Sequence, residues 1–353
     1  MKTTYLSLLI LIAVSINSSA QDQPAGKVSG YAFGDYYYKV GGEKSKAVST
    51  TQYSDSAQTK SGAFQLRRIY LNYEHAISET FHAQFLLEGN DGVTDGKDRY
   101  SVFIKLANLE WKNILPDQNL AVGIIGTPTW VVSEKVWGYR SVEKTITDFR
   151  GMGGSTDLGI TMKGSLGTDG MFGYAVMVGN GSGQKPENNK SRKYYGSFTA
   201  KPIKGLIVEA YSDFESEITE PKKTYSISQK TTIKGFAGYQ DDRFSVGIEA
   251  IKQTRQYTDT ADITPVGVSV FASAPIIKDK LSAFARFDTY DPDTKNSSFG
   301  YNEYFMMAGL DFSAHKNVHI MPNIWINTFS KKGSTTNRKA DTVARVTFFY
   351  VYK

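Results

Sequence analysis

The feature that most restricts this chain is a two-residue alternation of apolar and polar side chains. It recurs in about sixteen segments, near 28–40, 63–76, 80–90, 100–113, 119–126, 156–165, 170–180, 192–202, 206–216, 226–240, 243–254, 264–275, 280–290, 302–313, 317–328 and 342–352. In one, Ile69, Leu71 and Tyr73 alternate with Arg68, Tyr70, Asn72 and Glu74; in the last, Val346, Phe348, Tyr350 and Tyr352 oppose Arg345 and Thr347. Such a period places each set on one face of a β-strand. Most segments hold about 9–13 residues, the length a tilted strand needs to cross a bilayer's hydrocarbon.

The connections alternate too. Short joins at 77–79, 114–118, 166–169, 203–205, 241–242, 276–279 and 314–316 alternate with polar stretches at 41–62, 91–99, 127–155, 181–191, 217–225, 255–263, 291–301 and 329–341. A soluble sandwich or propeller also has many short strands, but gives no reason for this rhythm. Tight turns on one side of a membrane and long loops on the other do. Backbone groups in lipid must all be paired, and for a sheet only closure achieves that. The expectation is an all-β chain forming a transmembrane up-and-down antiparallel β-barrel of about sixteen strands. Pro322 falls inside one segment and removes a ladder donor, so a bulge or local defect is expected there.

Residues 1–20 read as a signal peptide, with Lys2 before the apolar run Tyr5 to Ile16 and small residues at Ser18-Ser19-Ala20. That run of about 12 residues is too short for a spanning helix. The barrel is therefore assigned to 21–353, in an outer membrane reached by secretion. The chain has no cysteine, so no disulfide framework holds it. Its net charge of +6 is scattered rather than gathered in an arm, which argues against a nucleic-acid partner. It is hydrophilic on average, with a mean hydropathy of −0.35, yet 13% aromatic. Both follow if one strand face meets lipid, with aromatic girdles, and the other meets water.

The third outer loop, 127–155, is the longest insert with apolar residues of its own, including Trp130, Val136, Trp137, Ile146 and Phe149. A loop of that kind should pack against something, and the barrel interior is at hand. A short helix is expected over Ser141–Phe149, with Ser141 as its N-cap. Arg140, Glu143, Lys144, Asp148 and Arg150 then become the expected constriction residues. Of these, Arg140, Lys144 and Arg150 line the opening or pair with wall carboxylates and hold the loop. Arg68, Lys163, Lys201, Lys234, Arg286 and Arg345 are the expected basic residues of the lumen, with Lys112 and Lys230 also facing inward. Inward Glu74, Glu88, Glu110, Asp157, Glu209, Asp213, Glu249, Asp288, Glu303 and Asp311 balance them or slightly exceed them.

Several segments in this order resemble the phosphate-selective porin O/P family, in the form common in Bacteroidota. They are Leu66-Arg67-Arg68 with Tyr70-Leu71-Asn72, Ala107-Asn108-Leu109-Glu110-Trp111, Gly123 then Pro128, Arg140 to Asp148, Ser155-Thr156-Asp157-Leu158-Gly159, and Gly173-Tyr174 with Gly179-Asn180-Gly181. The resemblance is clearest over about 60–185. It implies a porin of sixteen strands, commonly a homotrimer, whose third loop folds inward, and selectivity for anions such as phosphate. Anion preference needs a net basic lumen, which the inward charge balance does not supply. The expected function is passive diffusion of small polar or ionic solutes.

The other reading is a non-conducting outer-membrane barrel serving as an adhesin or part of a surface complex. Catalysis is disfavoured. His75, His82, His315 and His319 all sit near short turns, and no Gly-x-Ser-x-Gly appears. Asn90-Asp91-Gly92 with Asp95 and Asp98 lacks the closing Glu of a calcium loop. No cofactor or metal is expected.

Overall fold

The computed structural model describes residues 26–42, 59–94, 99–167, 170–187, 189–218, 227–258, 260–296, 300–333 and 335–353. The expected signal segment, Asp95 and Asp98 lie outside the described residues.

Sixteen strands follow the sequence rhythm: β1 (Lys27–Gly41), β2 (Ser61–Ala76), β3 (Phe81–Thr94), β4 (Tyr100–Leu115), β5 (Gln118–Gly126), β6 (Thr156–Leu166), β7 (Phe172–Gly179) and β8 (Lys193–Ala200), then β9 (Leu206–Ile218), β10 (Ile227–Gln240), β11 (Ser245–Tyr257), β12 (Val266–Ile277), β13 (Leu281–Asp291), β14 (Tyr301–His315), β15 (Val318–Lys331) and β16 (Asp341–Tyr352). Each pairs antiparallel with its sequence neighbours, and β16 returns to β1, opposing Phe348 to Gly34. The sheet has no free edge, as a strand in lipid requires. Both described ends lie on the short-turn side.

The outer wall is apolar. Val102, Val122, Val176, Ile233, Ile248 and Val270 are exposed at alternate positions, with Tyr73, Trp111, Phe312 and Tyr350 exposed nearer the strand ends. In water such a surface would aggregate; against lipid it is the favourable one.

Two bulges break the parity of the inner face. Between β1 and β2 the register passes from Phe33 opposite Arg68 to Gly34 opposite Leu66, leaving Arg67 as the extra residue. Between β3 and β4 it passes from Leu86 opposite Leu106 to Leu87 opposite Ile104, leaving Lys105. A bulge admits one additional residue and locally re-aims its neighbours, so Arg67 and Lys105 both turn inward. At Pro322 no bulge forms, since Gly309 opposes Asn323 and Phe312 opposes Ile320 in the same register, but the β14–β15 pairing is interrupted between them, at Leu310 and Asp311. The proline's missing donor thus shows as the expected local defect in the ladder without shifting the strand.

The interior is not lined by polar groups throughout. On the β10–β16 side Phe236, Phe271, Phe284, Phe305, Met307, Met321, Trp325 and Val343 point inward and form one apolar core with residues of the third loop. The barrel therefore has exposed apolar side chains outside and a packed plug on part of its inner wall.

A candidate pore constriction

Loop 127–155 contains two short helices, α1 (Val131–Trp137) and α2 (Ile146–Phe149). Gly138, at φ 71°, ends α1 in the left-handed region that favours glycine. Residues 141–144 are not helical, a turn ending at Val142, and Thr145 stands at the start of α2. Ser141 is not a cap: its hydroxyl points to Met321 Sδ at 3.9 Å, and Arg67 takes its carbonyl at 3.2 Å. A helix begun at Ser141 would have put Lys144 at the positive end of its dipole.

The loop is tied to inward-facing wall residues along its whole course. Lys234 Nζ donates to the Thr129 carbonyl at 2.5 Å, Ser245 Oγ to Val136 at 2.7 Å, and Arg67 Nη1 to Val142 at 2.7 Å. Arg286 donates to the Lys144 carbonyl, and Gln253 Nε2 to Met152 at 2.9 Å. Arg150 Nη1 donates to Glu303 Oε2 at 2.7 Å, with both side chains almost fully buried. Trp137, Val142 and Phe149 fill the apolar core opposite. Gly267 allows the close approach, since a Cβ there would stand 2.8 Å from Ile146 Cδ1. Replacing Trp137 by alanine should cost about 3–5 kcal/mol, the usual range for emptying a buried aromatic site. The check is an earlier heat-induced loss of the compact folded band on a gel.

These contacts sort the residues expected at the constriction. Arg140, Lys144 and Asp148 keep side-chain exposures of 20%, 14% and 18%, whereas Glu143 and Arg150 are buried. Glu143 faces Arg67 and Arg345, each at 3.7 Å, so it holds the loop rather than lining a path. Of the expected lumen residues, Lys234 pairs with Glu209 at 2.7 Å, Arg286 with Asp288 at 2.5 Å, and Arg345 with Glu143; all three are covered by the loop. They face inward as the alternation required, but the loop takes the water from them. Lys201 follows the last residue of β8 and is exposed at the short-turn rim. Lys163 is exposed and pairs with Glu110 at 2.9 Å.

A water-facing cluster remains on the β1–β4 side. On the loop, Glu134 pairs with Arg140 at 3.2 Å and Lys144 with Asp148 at 3.4 Å. On the wall, Glu88 holds Arg68 and Lys105, each at 3.0 Å, and Asp91 holds Arg68 at 3.3 Å. Tyr31 and Tyr70 stand beside it, ring centroids 4.6 Å apart. Four cations thus meet four carboxylates.

Burial pushes the Glu134 carboxyl up to about 7, with Arg140 opposing and Asp148 adding to the rise. Burial would raise Asp148 as well, but Lys144 and Arg140 hold it below the usual carboxylate range. Glu143, though buried, is likewise held low by Arg67 and Arg345. Alternation alone missed Arg67 and Lys105, whose positions carry the lipid-facing parity. A lysine aimed at hydrocarbon is costly enough to have betrayed the bulge.

Below this cluster lies a cavity of about 910 Å³, lined by β1–β9 toward the short turns and roofed by Thr127, Pro128, Val131 and Val132. Among the described residues no group of three or more acidic or histidine side chains could hold a metal.

The closed sixteen-stranded antiparallel barrel is the fold of solved outer-membrane porins and channels. The outer membrane channel DcaP of Acinetobacter baumannii aligns with a TM-score of 0.67 at 11% identity, covering 93% of this chain and 97% of that one. The anion-selective porin from Comamonas acidovorans gives 0.64 at 12%, covering 93% and 99%. OmpF of Salmonella typhi gives 0.64 at 12%, covering 93% and 97%. No protein-family model and no curated protein matches the sequence.

Proposed function

We propose that this chain is a passive, weakly ion-selective diffusion pore of a bacterial outer membrane. One observation carries the reading. The third loop is fastened mainly to β2 and β9–β16, while charged side chains of the loop and of β2–β4 that keep partial exposure stand above the cavity. An adhesin has no need of such an arrangement. Solutes pass between the loop and this wall, and Arg140, Lys144, Asp148, Glu134, Arg68 and Lys105 form the filter. Lys163 and Lys201 lie nearer the short-turn mouth.

Four cations against four carboxylates support weak selectivity rather than the phosphate preference that the sequence resemblance implies. The likeness to porins supports the location, and a neighbour described as the trimer form of Vibrio cholerae OmpT supports a homotrimer. Purified protein in planar bilayers should give discrete current steps, with a reversal potential near zero under a potassium chloride gradient at pH 8. A strongly anion-preferring potential, with conductance saturating in phosphate, would replace this reading by the phosphate-selective one. Absence of steps would leave the non-conducting barrel.

A further inference from the structure

The cavity beneath the loop has two unlike faces. One carries the neutral amides of Gln84 and Asn108 on adjacent strands, linked to each other and, outside the lining, to Asn72. Gln84 Nε2 donates to Asn72 Oδ1 at 3.1 Å, and Asn108 Nδ2 to Gln84 Oε1 at 3.4 Å. Each amide offers two donor hydrogens and two acceptor lone pairs, so capacity remains after the links between strands are made. The other face is apolar: Pro128, Val131 and Val132 come down from the loop, and Ala121 and Ile125 from β5. Val131 is 49% exposed although it sits on a loop inside the barrel, with an apolar core available a few residues further on. Charged groups line the cavity as well: Lys163 and Glu110 neutralise each other at 2.9 Å, Glu209 near the loop is held by Lys234 at 2.7 Å, and Lys27, Glu74, Lys112 and Asp117 stand toward the short turns.

We propose that the pore's preferred solutes are short neutral saccharides, held in this cavity. The inference rests on the pore reading above and names the solute class it serves. A sugar ring presents a face of carbon-bound hydrogens and a rim of hydroxyls. The first fits Pro128, Val131 and Val132, and the second fits the amides of Gln84 and Asn108. An ion or a charged peptide end meets charges already paired with one another, Lys163 with Glu110 and Lys234 with Glu209, so it gains less than a sugar does from the amides and the apolar roof. At about 910 Å³ the cavity is at the upper end of the size typical of small-molecule sites.

The experiment adds maltotriose to the full-length protein in two settings. In detergent, saturation transfer from protein to the ring protons of maltotriose reads binding whether or not the barrel conducts. In bilayers, maltotriose added on the short-turn side should lower the current saturably. Triglycine and gluconate should give only a small linear fall. Gln84→Leu with Asn108→Leu, and separately Val131→Asp on the loop face, should each weaken the block at least tenfold relative to that variant's own sugar-free current. No transfer to maltotriose, or equal effects of maltotriose and triglycine, overturns the proposal. Transfer without any current steps would retain the sugar site and remove the pore.

Discussion

Replacing Arg150 by alanine should loosen the third loop and raise the unit current, while costing the fold about 3–5 kcal/mol. That range is typical when one partner of a buried ion pair is removed. Glu303 would be left charged in the interior, with only the Asn327 amide, at 2.8 Å, to satisfy it. Arg150 also lies 4.7 Å and 4.8 Å from the ring centroids of Phe149 and Tyr290, so its loss opens packing too. The double replacement Arg150→Met with Glu303→Leu removes both charges and should recover most of the stability, because two charges no longer have to be desolvated. Heat-induced unfolding on gels and unit conductance in bilayers read the two effects. An alanine variant with wild-type stability and current would show that this pair does not anchor the loop.

Acidification should shift the pore toward anions, with a midpoint near pH 7. Glu134 is the reason, since burial lifts its carboxyl to about 7. Above that pH it is ionised and the four carboxylates balance Arg68, Lys105, Arg140 and Lys144. Below it one negative charge is lost and the cluster becomes net positive. A unit charge a few ångströms from a passing ion in water is worth about 0.5–1 kcal/mol, roughly a two- to five-fold change for each ion, up for the anion and down for the cation. Asp148 does not share the transition, because Lys144 and Arg140 hold it low. Glu134→Gln should behave at pH 8 as wild type does at pH 6, and should show no midpoint near 7.

The same shift bears on stability. The folded carboxyl is raised above its unfolded value near 4.5. The fold's advantage from a protonated Glu134 is thus complete below about 4.5 and lost as pH rises through about 7.

The barrel was legible because alternation and connection length are local properties. Each strand needs only its own apolar face and its own turn. The strand from Tyr301 to His315, for example, shows Tyr304, Met306, Leu310 and Phe312 on one parity. The site was legible in part. Parity sent Lys234, Arg286 and Arg345 inward, but whether an inward cation meets water depends on where a loop more than 75 residues away in sequence comes to rest. Phe271, Phe305 and Trp325 point the same way as those cations, and their clustering with Trp137 decides which part of the lumen is filled. Nothing within one strand encodes that choice. Arg67 and Lys105 were hidden for a different reason, since a single extra residue reverses every parity beyond it.

The central claim is an open path between the third loop and the wall, inside a cylinder whose outside faces lipid. The chain has no cysteine, so one introduced thiol is the only one. Val131, half exposed above the cavity, and Phe64, 81% exposed on the outer wall, give the contrast. The measurement is unit current before and after a charged thiol reagent, in Val131→Cys and in Phe64→Cys. The account expects a stepwise fall in the first and no change in the second. No current steps in the untreated protein, or a fall in Phe64→Cys with none in Val131→Cys, would contradict it.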